Sequence, residues 1–341
     1  MKKIGIFLAC LFAMSALFAQ QQTAILVHSD NSFNAYYGNN ALIQAVAAAQ
    51  HGETINLSGG SFFSCNINKN LTIRGNGING PIAERTYINN RMDASDNTSP
   101  NRRLTIEGVY FTNGFYTDSV YDEVTFNNCY ISRYQRGWDF VRRLNFINCY
   151  VMDFSSGDGG VNDSVYITAI NSYVYYNHAK MLGHFYNCVV RMNGENHDWM
   201  YSPIQHFQNC VIYGSCHYDY YNGLTPYIKP RIDHCLVIST TDTNLFSNVA
   251  LHSGDQNYEV SFADVFETFR GGDIDGHTSF ALTSYAQNHY LGSDSTQVGI
   301  YGGVRPWTDA LTYPKITGMT VDHQTTSAGL LGVDVQIRQG E

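Results

Sequence analysis

A short phrase recurs through the middle of the chain: an apolar residue, one variable residue, Asn-Cys and two further apolar residues. Four copies are complete, while a fifth has Ser in place of Cys and a sixth has His in place of Asn. In chain order they are Phe126–Ile131, Phe146–Val151, Asn171–Val174, Phe185–Val190, Phe207–Ile212 and Ile232–Val237. Successive copies lie 16 to 25 residues apart. A repeat of this length predicts stacked structural units that each contact only their neighbours.

Alternation within each copy indicates strands. Val124 and Phe126 lie two residues apart and therefore point to the same side of one strand. Asn128 breaks the alternation, as expected of a corner residue in the left-handed conformation, which Asn tolerates. Beyond the corner, Cys129 points inward again and Tyr130 points outward. The repeat thus predicts interior columns of Phe and Cys, and a column of Asn that hydrogen-bonds from corner to corner.

Two repeat architectures have this period, the leucine-rich repeat and the β-helix. The Leu-x-x-Leu-x-Leu signature of the first is missing, and β-branched and aromatic residues dominate. The prediction is therefore an all-β fold, a parallel β-helix over residues 20–314. An Ala-rich stretch from Asn39-Asn40 to Gly52 predicts a helix that caps the first coil. Alternation in residues 315–341 predicts a C-terminal extension of two strands.

The N-terminal part of the predicted coil resembles a known family. Ala41–Gly77, with His51–Ile55 and Asn70–Gly77, is similar to the start of pectate-lyase-like right-handed parallel β-helix repeat proteins. Residues 262–307 resemble the closing segment of secreted Bacteroidetes proteins of this type. The resemblance implies a right-handed coil and an interior ladder of asparagines. These are Asn128, Asn148, Asn187 and Asn209.

The resemblance does not extend to catalytic motifs. Polygalacturonase-type hydrolases of this fold carry an Asp-Asp pair, a Gly-His-Gly and an Arg-x-Lys, and the sequence contains none of them. A basic motif like that of the pectate lyases is not evident on a late coil either. The likeness therefore bears on the fold and does not assign a lyase or hydrolase activity.

The first residues predict export. Lys2 and Lys3 precede an apolar stretch, Ile4–Phe18, that is too short to span a bilayer comfortably and ends at Ala19. Residues 1–19 are therefore predicted to be a cleaved secretion signal, and the protein to be secreted or held at the cell surface. The formal net charge of −9, without a basic stripe, argues against nucleic acid as a partner.

Seven cysteines follow the predicted signal, and none forms a Cys-x-x-Cys pair that would indicate a structural zinc site. Parallel side chains on neighbouring coils are poorly oriented for disulfides. The cysteines of the repeat are therefore predicted to be small buried thiols. The seven are Cys65, Cys129, Cys149, Cys188, Cys210, Cys216 and Cys235.

Catalytic and metal-binding candidates are few. Counting four residues past each Cys places Arg133 beside Asp153 on the next coil, either as a pair that binds a substrate carboxylate or as a surface ion pair. The loop that follows offers hard oxygen ligands for Ca²⁺ at Asp153, Asp158 and Asp163, although Gly-Asp-Gly-Gly is also an ordinary turn. Calcium is thus the one cofactor that the sequence hints at.

Histidines and aromatic residues each allow two interpretations. The histidines are candidates for proton transfer or metal binding, or they pack in ladders and loops. The group comprises His178, Lys180, His184, His197, Asp198, Trp199, His206 and His217. Outward aromatic residues either stack on sugar rings or pack across strands. These ligand-binding candidates are Tyr130, Tyr150, Tyr173, Tyr176 and Trp199.

Two functions from different classes remain open. One is an exported, non-catalytic β-helix that binds glycans or serves as a surface or adhesive scaffold. The other is a carbohydrate-active enzyme, a polysaccharide lyase or glycoside hydrolase acting on an extracellular polysaccharide, with Arg133 and Asp153 as participants. The missing catalytic signature favours the first function.

Overall fold

The computed structural model describes most of the chain in separate ranges. These are residues 22–95, 101–117, 121–136, 141–156, 166–176, 182–192, 205–214, 231–239, 254–275, 278–308, 311, 313–321 and 333–338. The predicted secretion signal, residues 1–19, lies outside them. No helix within these ranges is both long enough and apolar enough to cross a membrane.

The chain winds into a right-handed parallel β-helix, as predicted. Each complete coil contributes strands to two or three rows. The first sheet contains β3 (Glu53–Leu57), β6 (Leu71–Arg74), β9 (Arg103–Glu107), β12 (Glu123–Asn127), β15 (Arg143–Ile147), β17 (Tyr166–Ile170), β19 (Leu182–Tyr186), β21 (Gln205–Gln208) and β23 (Arg231–Asp233).

The second sheet follows the first around each coil. It contains β4 (Gly60–Phe63), β7 (Thr86–Asn89), β10 (Val109–Phe111), β13 (Tyr130–Ile131), β16 (Tyr150–Ser156), β18 (Tyr173–Tyr176), β20 (Val189–Met192), β22 (Val211–Gly214), β24 (Leu236–Ser239) and β25 (Tyr258–Val260). A shorter third row joins the end of β16. It contains β5 (Asn66–Ile67), β8 (Met92–Ala94), β11 (Phe115–Thr117) and β14 (Tyr134–Arg136).

In-register stacking explains the apolar columns. Phe126 lies directly below Phe146, with stacked rings whose centroids are 5.6 Å apart, and Phe185 stacks on Phe207 at 4.8 Å. All four rings are buried, whereas the intervening Thr125 is half-buried on the outer face. A single coil has too little apolar surface to form a core, so each depends on the coils above and below it. The predicted alternation is confirmed.

The corner between the first and second sheets is the predicted left-handed residue. Asn128, Asn148, Asn171, Asn187 and Asn209 have φ between 47° and 58°, and His234 takes the same conformation in the sixth copy. Asn is the residue that adopts this conformation most readily after Gly, because its short polar side chain bonds locally. The repeat is thus fixed by backbone geometry as well as by apolar burial.

The cysteine column lies in the interior, as predicted. Cys129, Cys149, Cys188, Cys210 and Cys235 are fully buried and are free thiols. Their sulfur atoms contact backbone groups of the coils, as when Cys188 N–H faces Cys210 Sγ at 3.4 Å. Ser172 occupies the same position and donates to Ile170 O at 2.8 Å. The column accepts small residues that can bond to the corner backbone.

A hairpin and a helix close the N-terminal end of the coil. The hairpin, β1 (Thr23–Val27) and β2 (Phe33–Tyr37), pairs antiparallel with β3. Helix α1 (Ala41–Ala48) packs on it and ends four residues before the predicted Gly52. Lys69 explains this end, because its Nζ donates to the carbonyl oxygens of Val46, Ala47 and Ala49.

The C-terminal part of the chain turns back along the coil. We call residues 261–314 the return segment; it contains the short helices α2 (Phe262–Val265) and α3 (Ser284–His289). Its apolar residues pack on the outer face of the second sheet and form a second hydrophobic core. The last described strand of the second sheet, β25, ends at Val260, directly before this segment. The hairpin β26 (Lys315–Val321) and β27 (Val333–Arg338) follows, as predicted.

Three corner asparagines, Asn128, Asn171 and Asn209, bind this segment rather than one another. Asn128 Nδ2 donates to Thr308 O, and Asn171 Nδ2 donates to both Ile300 O and Gly302 O, each at 2.8–2.9 Å. Asn209 Oδ1 accepts from Ser293 N at 2.8 Å. For these three residues the prediction of a corner-to-corner ladder is wrong, because their side chains point out of the coil toward carbonyl and amide groups that need partners. Oδ1 of Asn148 and Oδ1 of Asn187 are buried and have no hydrogen-bond partner among the described residues.

Candidate functional site

Tyrosines of the second sheet point outward but are buried. Tyr130, Tyr150 and Tyr173 are 8%, 3% and 0% exposed, because the return segment covers them. Phe280 stacks on Tyr173 with ring centroids 5.4 Å apart, and Trp307 meets Tyr150 edge-on at 4.8 Å. The interpretation of these three tyrosines as an exposed surface for sugar rings is therefore wrong, and they belong to the second core.

The outer face of the first sheet is accessible instead. Side chains at one register position of successive strands form an outward row of hydroxyl, amide and imidazole groups that are half-buried. The row consists of Thr125, Asn145, Thr168, His184 and His206. Asn145 Nδ2 donates to Thr125 Oγ1 at 3.0 Å and also to Glu123 Oε1, so neighbouring coils are linked through the row.

Five residues at the late end of this row form what we call the histidine cluster: Tyr166, His184, Tyr186, His206 and Asp233. His184 Nδ1 and the Tyr186 hydroxyl are 2.5 Å apart, and the two imidazole rings meet edge-to-face with centroids 5.3 Å apart. The Tyr166 ring lies 5.3 Å from the His184 ring. His206 Nε2 contacts Asp233 Oδ2 at 2.8 Å.

Charge within the cluster is concentrated on one carboxylate. Asp233 is buried, and burial raises its pKa, but hydrogen bonds from Arg231 and His206 outweigh this and hold the pKa below its usual range. Partial burial and the neighbouring His206 lower the pKa of His184. Burial raises the pKa of Tyr186. At neutral pH the cluster thus presents a neutral imidazole and a neutral phenol beside an ion-paired carboxylate.

These groups offer donors and acceptors in fixed positions. The hydrogen bond to Asp233 occupies Nε2 of His206 and fixes the orientation of its ring. The contact between His184 and Tyr186 places a proton between an imidazole and a phenol. Such an arrangement binds ligand hydroxyl groups, and it also has the composition of a proton-transfer pair.

Arg133 and Asp153 are neighbours, as predicted. Arg133 Nε lies 2.7 Å from Asp153 Oδ2. Arg133 directly precedes β14 of the third row, and Asp153 belongs to β16, so the pair lies outside the first sheet. The arginine side chain is 62% exposed and the carboxylate 17%. Between Val151 and Phe154 the register shifts by one residue, so that Tyr176 pairs with Phe154. The pair has the properties of a surface salt bridge.

The proposed calcium site is described only at Asp153, whose carboxylate pairs with Arg133. Within the described ranges, no group of three or more His, Cys, Asp or Glu residues is placed to hold a metal ion. Other candidates lie outside the described residues, and Tyr176 is described only in its backbone. Those outside are Asp158, Asp163, His178, Lys180, His197, Asp198, Trp199 and His217.

Sequence reasoning missed Tyr166, Tyr186 and Asp233. A signal for the cluster was present, because His184 and His206 each lie three residues before a corner asparagine. Counting three residues back from Asn187 and from Asn209 places the two histidines at the same register position of adjacent strands. The predicted site residues lie four residues after the cysteines, on a different face of the coil.

Comparison with protein-family models, with characterised proteins and with solved structures finds no match to this chain, so its site has to be interpreted from its own geometry.

Proposed function

We propose that the protein is an exported β-helix that binds glycans on the outer face of its first sheet. The observation that carries this proposal is the contrast between the two outer faces. The second sheet is covered by the return segment, whereas the first sheet displays an accessible row of polar and aromatic groups that ends at the histidine cluster.

The spacing of the row supports a polymeric ligand. Equivalent side chains on neighbouring coils repeat about every 4.8 Å, which is comparable to the length of one sugar unit. A linear glycan repeats its hydroxyl groups in the same way, so one chain lying along the axis meets similar groups on each coil. Asn145, Thr168, His184 and His206 supply hydrogen bonds, and Tyr166 supplies a ring surface.

Charge supports a neutral rather than a polyanionic glycan. The chain has a formal net charge of −9. Two arginines of the first sheet are paired with carboxylates: Arg74 Nε with Glu107 at 2.7 Å, and Arg103 Nε with Glu123 at 3.7 Å. Pairing reduces the positive field that would attract a polyanion. The resemblance to pectate-lyase-like proteins and the predicted secretion signal both favour an extracellular polysaccharide as the ligand.

One observation favours a second function, a carbohydrate-active enzyme. His184 and Tyr186 form a short contact beside the His206–Asp233 pair, so that a neutral base and a weak acid lie on neighbouring positions. A lyase or hydrolase would need both groups to reach one sugar ring. The scaffold function ranks first because it requires only the accessible row.

A glycan array tests the proposal. The wild-type protein is expected to bind neutral polysaccharides, and His206→Ala to reduce binding to the same spots. Arg133→Ala is the matched control, since this residue directly precedes β14, lies outside the first sheet and is largely exposed. Absence of binding across the array, or equal losses in both variants, contradicts glycan binding at the first sheet.

The same proteins decide between scaffold and enzyme. Incubation of each bound polysaccharide with the wild-type protein, with and without added Ca²⁺, is followed by measurement of reducing ends and of ultraviolet-absorbing unsaturated products. We expect neither product for a scaffold. Products that disappear in His184→Ala and Tyr186→Phe establish the enzyme instead.

A further inference from the structure

A second aromatic group lies on the surface at the C-terminal end of the coil. We call Tyr258, Tyr285, His289 and Tyr290 the terminal aromatic cluster. Tyr258 is 44% exposed and Tyr285 59%, and Leu291 beside them is 45% exposed. Exposed apolar residues are common singly, but a contiguous group marks a surface that binds something.

The rings are held at defined angles. Tyr285 stacks on His289 with centroids 4.8 Å apart and 23° between the ring planes. Tyr290 lies nearly perpendicular to Tyr285, at 84° and 5.9 Å, and Tyr258 is tilted by 47° against Tyr290 at 5.0 Å. Helix α3 carries Tyr285 and His289 on one face, and strand β25 supplies Tyr258. Rings fixed in this way lose little conformational entropy on binding a ligand.

The cluster adjoins the first sheet. Gln208, two residues past His206 on β21, donates through Nε2 to Ser293 Oγ at 2.6 Å. Asn209 at the next corner accepts from Ser293 N at 2.8 Å. Ser293 follows Leu291 and Tyr290 by two and three residues. The surface that carries His206 is therefore continuous with the surface that carries the terminal aromatic cluster.

The surroundings of the cluster are acidic. Glu259 follows Tyr258 on β25. Partial burial, the neighbouring Tyr285 and the carboxylate of Asp264 raise the pKa of Tyr290, so its hydroxyl stays protonated and neutral. A polyanionic ligand would be repelled here, whereas an uncharged ligand with an apolar face and hydroxyl groups matches both the rings and the phenols.

We infer that the terminal aromatic cluster is a second contact site for the glycan, and that its rings stack on an uncharged pyranose unit of a chain lying along the first sheet. The inference rests on the proposed function. It adds that the glycan is uncharged and gives the direction in which the glycan lies on the protein. The glycan runs from the polar row past His206 and Gln208 onto Tyr290 and Tyr285.

Affinity electrophoresis tests this inference with four polysaccharides cast in native gels: galactomannan, xyloglucan and yeast mannan as neutral probes, and polygalacturonate as an anionic probe. The wild-type protein is expected to be retarded by at least one neutral probe. A double variant, Tyr258→Ala with Tyr285→Ala, is expected to bind that probe about tenfold more weakly, the scale of losing an interface anchor.

Two controls separate stacking from folding and surface effects. Tyr285→Phe keeps the ring and is expected to bind like the wild type. Phe33→Ala removes another exposed aromatic ring, 64% exposed on β2 at the opposite end, and is also expected to leave binding unchanged. Circular dichroism and the thermal midpoint of each variant show that the coil is intact.

Each outcome is decisive. A double variant that binds the neutral probe like the wild type overturns the second site while glycan binding at the first sheet stands. Retention of the wild type by polygalacturonate alone overturns the uncharged ligand class. A wild type that binds none of the four probes overturns both proposals. Sedimentation that shows a dimer lost in the double variant assigns the cluster to self-association instead.

Discussion

Asn76 holds the backbone of Ile316, a residue 240 positions later in the chain. Its Nδ2 donates to Ile316 O at 2.8 Å and its Oδ1 accepts from Ile316 N at 3.2 Å. From Asn76 through the corner residues Asn128 and Asn171 to Asn209, the bonding partners retreat along the chain from Ile316 to Ser293. The chain from Ser293 to Ile316 therefore runs antiparallel to the coil axis, and asparagine side chains bind it at these four positions.

Loss of one fastening side chain should destabilise the protein measurably. Asn171→Gly keeps the left-handed corner but removes the donor that serves two buried carbonyls, Ile300 O and Gly302 O. We expect a loss of about 2–4 kcal/mol in the free energy of unfolding. Urea unfolding followed by tyrosine and tryptophan fluorescence measures it.

A second substitution separates the two roles of this asparagine. Asn171→Ala removes the donor and also strains the left-handed backbone, so we expect about 1 kcal/mol of further loss. Asn31 provides the control: it is exposed with φ of 66°, and Asn31→Gly should change stability by less than about 0.5 kcal/mol. If Asn171→Gly is as stable as the wild type, the side chain does not fasten the return segment.

The coil itself was predictable because its signals are local and repeated. Phe126, Asn128 and Cys129 meet three requirements of a coil, namely a buried ring, a left-handed corner and a small buried residue, and the same residues recur in the other complete copies. Strand alternation, the left-handed corner and thiol burial all follow from spacing within one copy. Even the pairing of Arg133 with Asp153 follows, because neighbouring copies place them in register.

The cover over the second sheet was not predictable in this way. Tyr150 and Tyr173 alternate correctly to face outward, but whether outward means exposed depends on residues more than a hundred positions later. Asn171 poses the same problem, since its bonding partner Ile300 has no counterpart inside the repeat. The return segment has no repeated sequence pattern, so its local sequence does not predict the surface on which it packs.

Acidification should weaken the fold through His184. Its pKa is lowered in the folded protein, first by partial burial and then by His206. Below about pH 6.5, the pKa of an unfolded histidine, the native state therefore binds fewer protons than the unfolded state. The stability that neutral His184 contributes to the fold is present above that pH and is lost as the pH falls through the lowered pKa of the folded protein. The thermal midpoint of the wild type should fall between pH 7.5 and pH 5.5.

His184→Gln isolates this contribution, because glutamine keeps a polar side chain that does not titrate. The fall in thermal midpoint over the same interval should be smaller in this variant than in the wild type. Identical pH profiles for the two proteins would show that His184 titrates alike in the folded and unfolded states, contrary to its position in the cluster.

The Arg133–Asp153 pair should contribute little to stability. Arginine is largely exposed, so solvent screens the interaction, and a double-mutant cycle with Arg133→Ala and Asp153→Ala should give about 0–1 kcal/mol of coupling. Glycan binding should also persist in both single variants, since the pair lies away from the first sheet. A coupling well above this range, or lost binding, would assign the pair a larger role.

The buried thiols should be inert in the folded protein. Cys188 and Cys235 are fully buried, and burial raises the pKa of both thiols, so neither water nor a thiolate is available for reaction. Burial also raises the pKa of Cys65, to about 12. In a Cys216→Ser variant without residues 1–19, a chromogenic disulfide reagent should label none of the five buried cysteines of the column in buffer but all of them in urea. Cys65 is half-buried and is assigned separately by mass spectrometry. Rapid native labelling at Cys129, Cys149, Cys188 or Cys210, mapped by mass spectrometry, would contradict an interior column. Slow labelling at the rate of global unfolding agrees with it, because the stacked coils must separate before any sulfur reaches solvent.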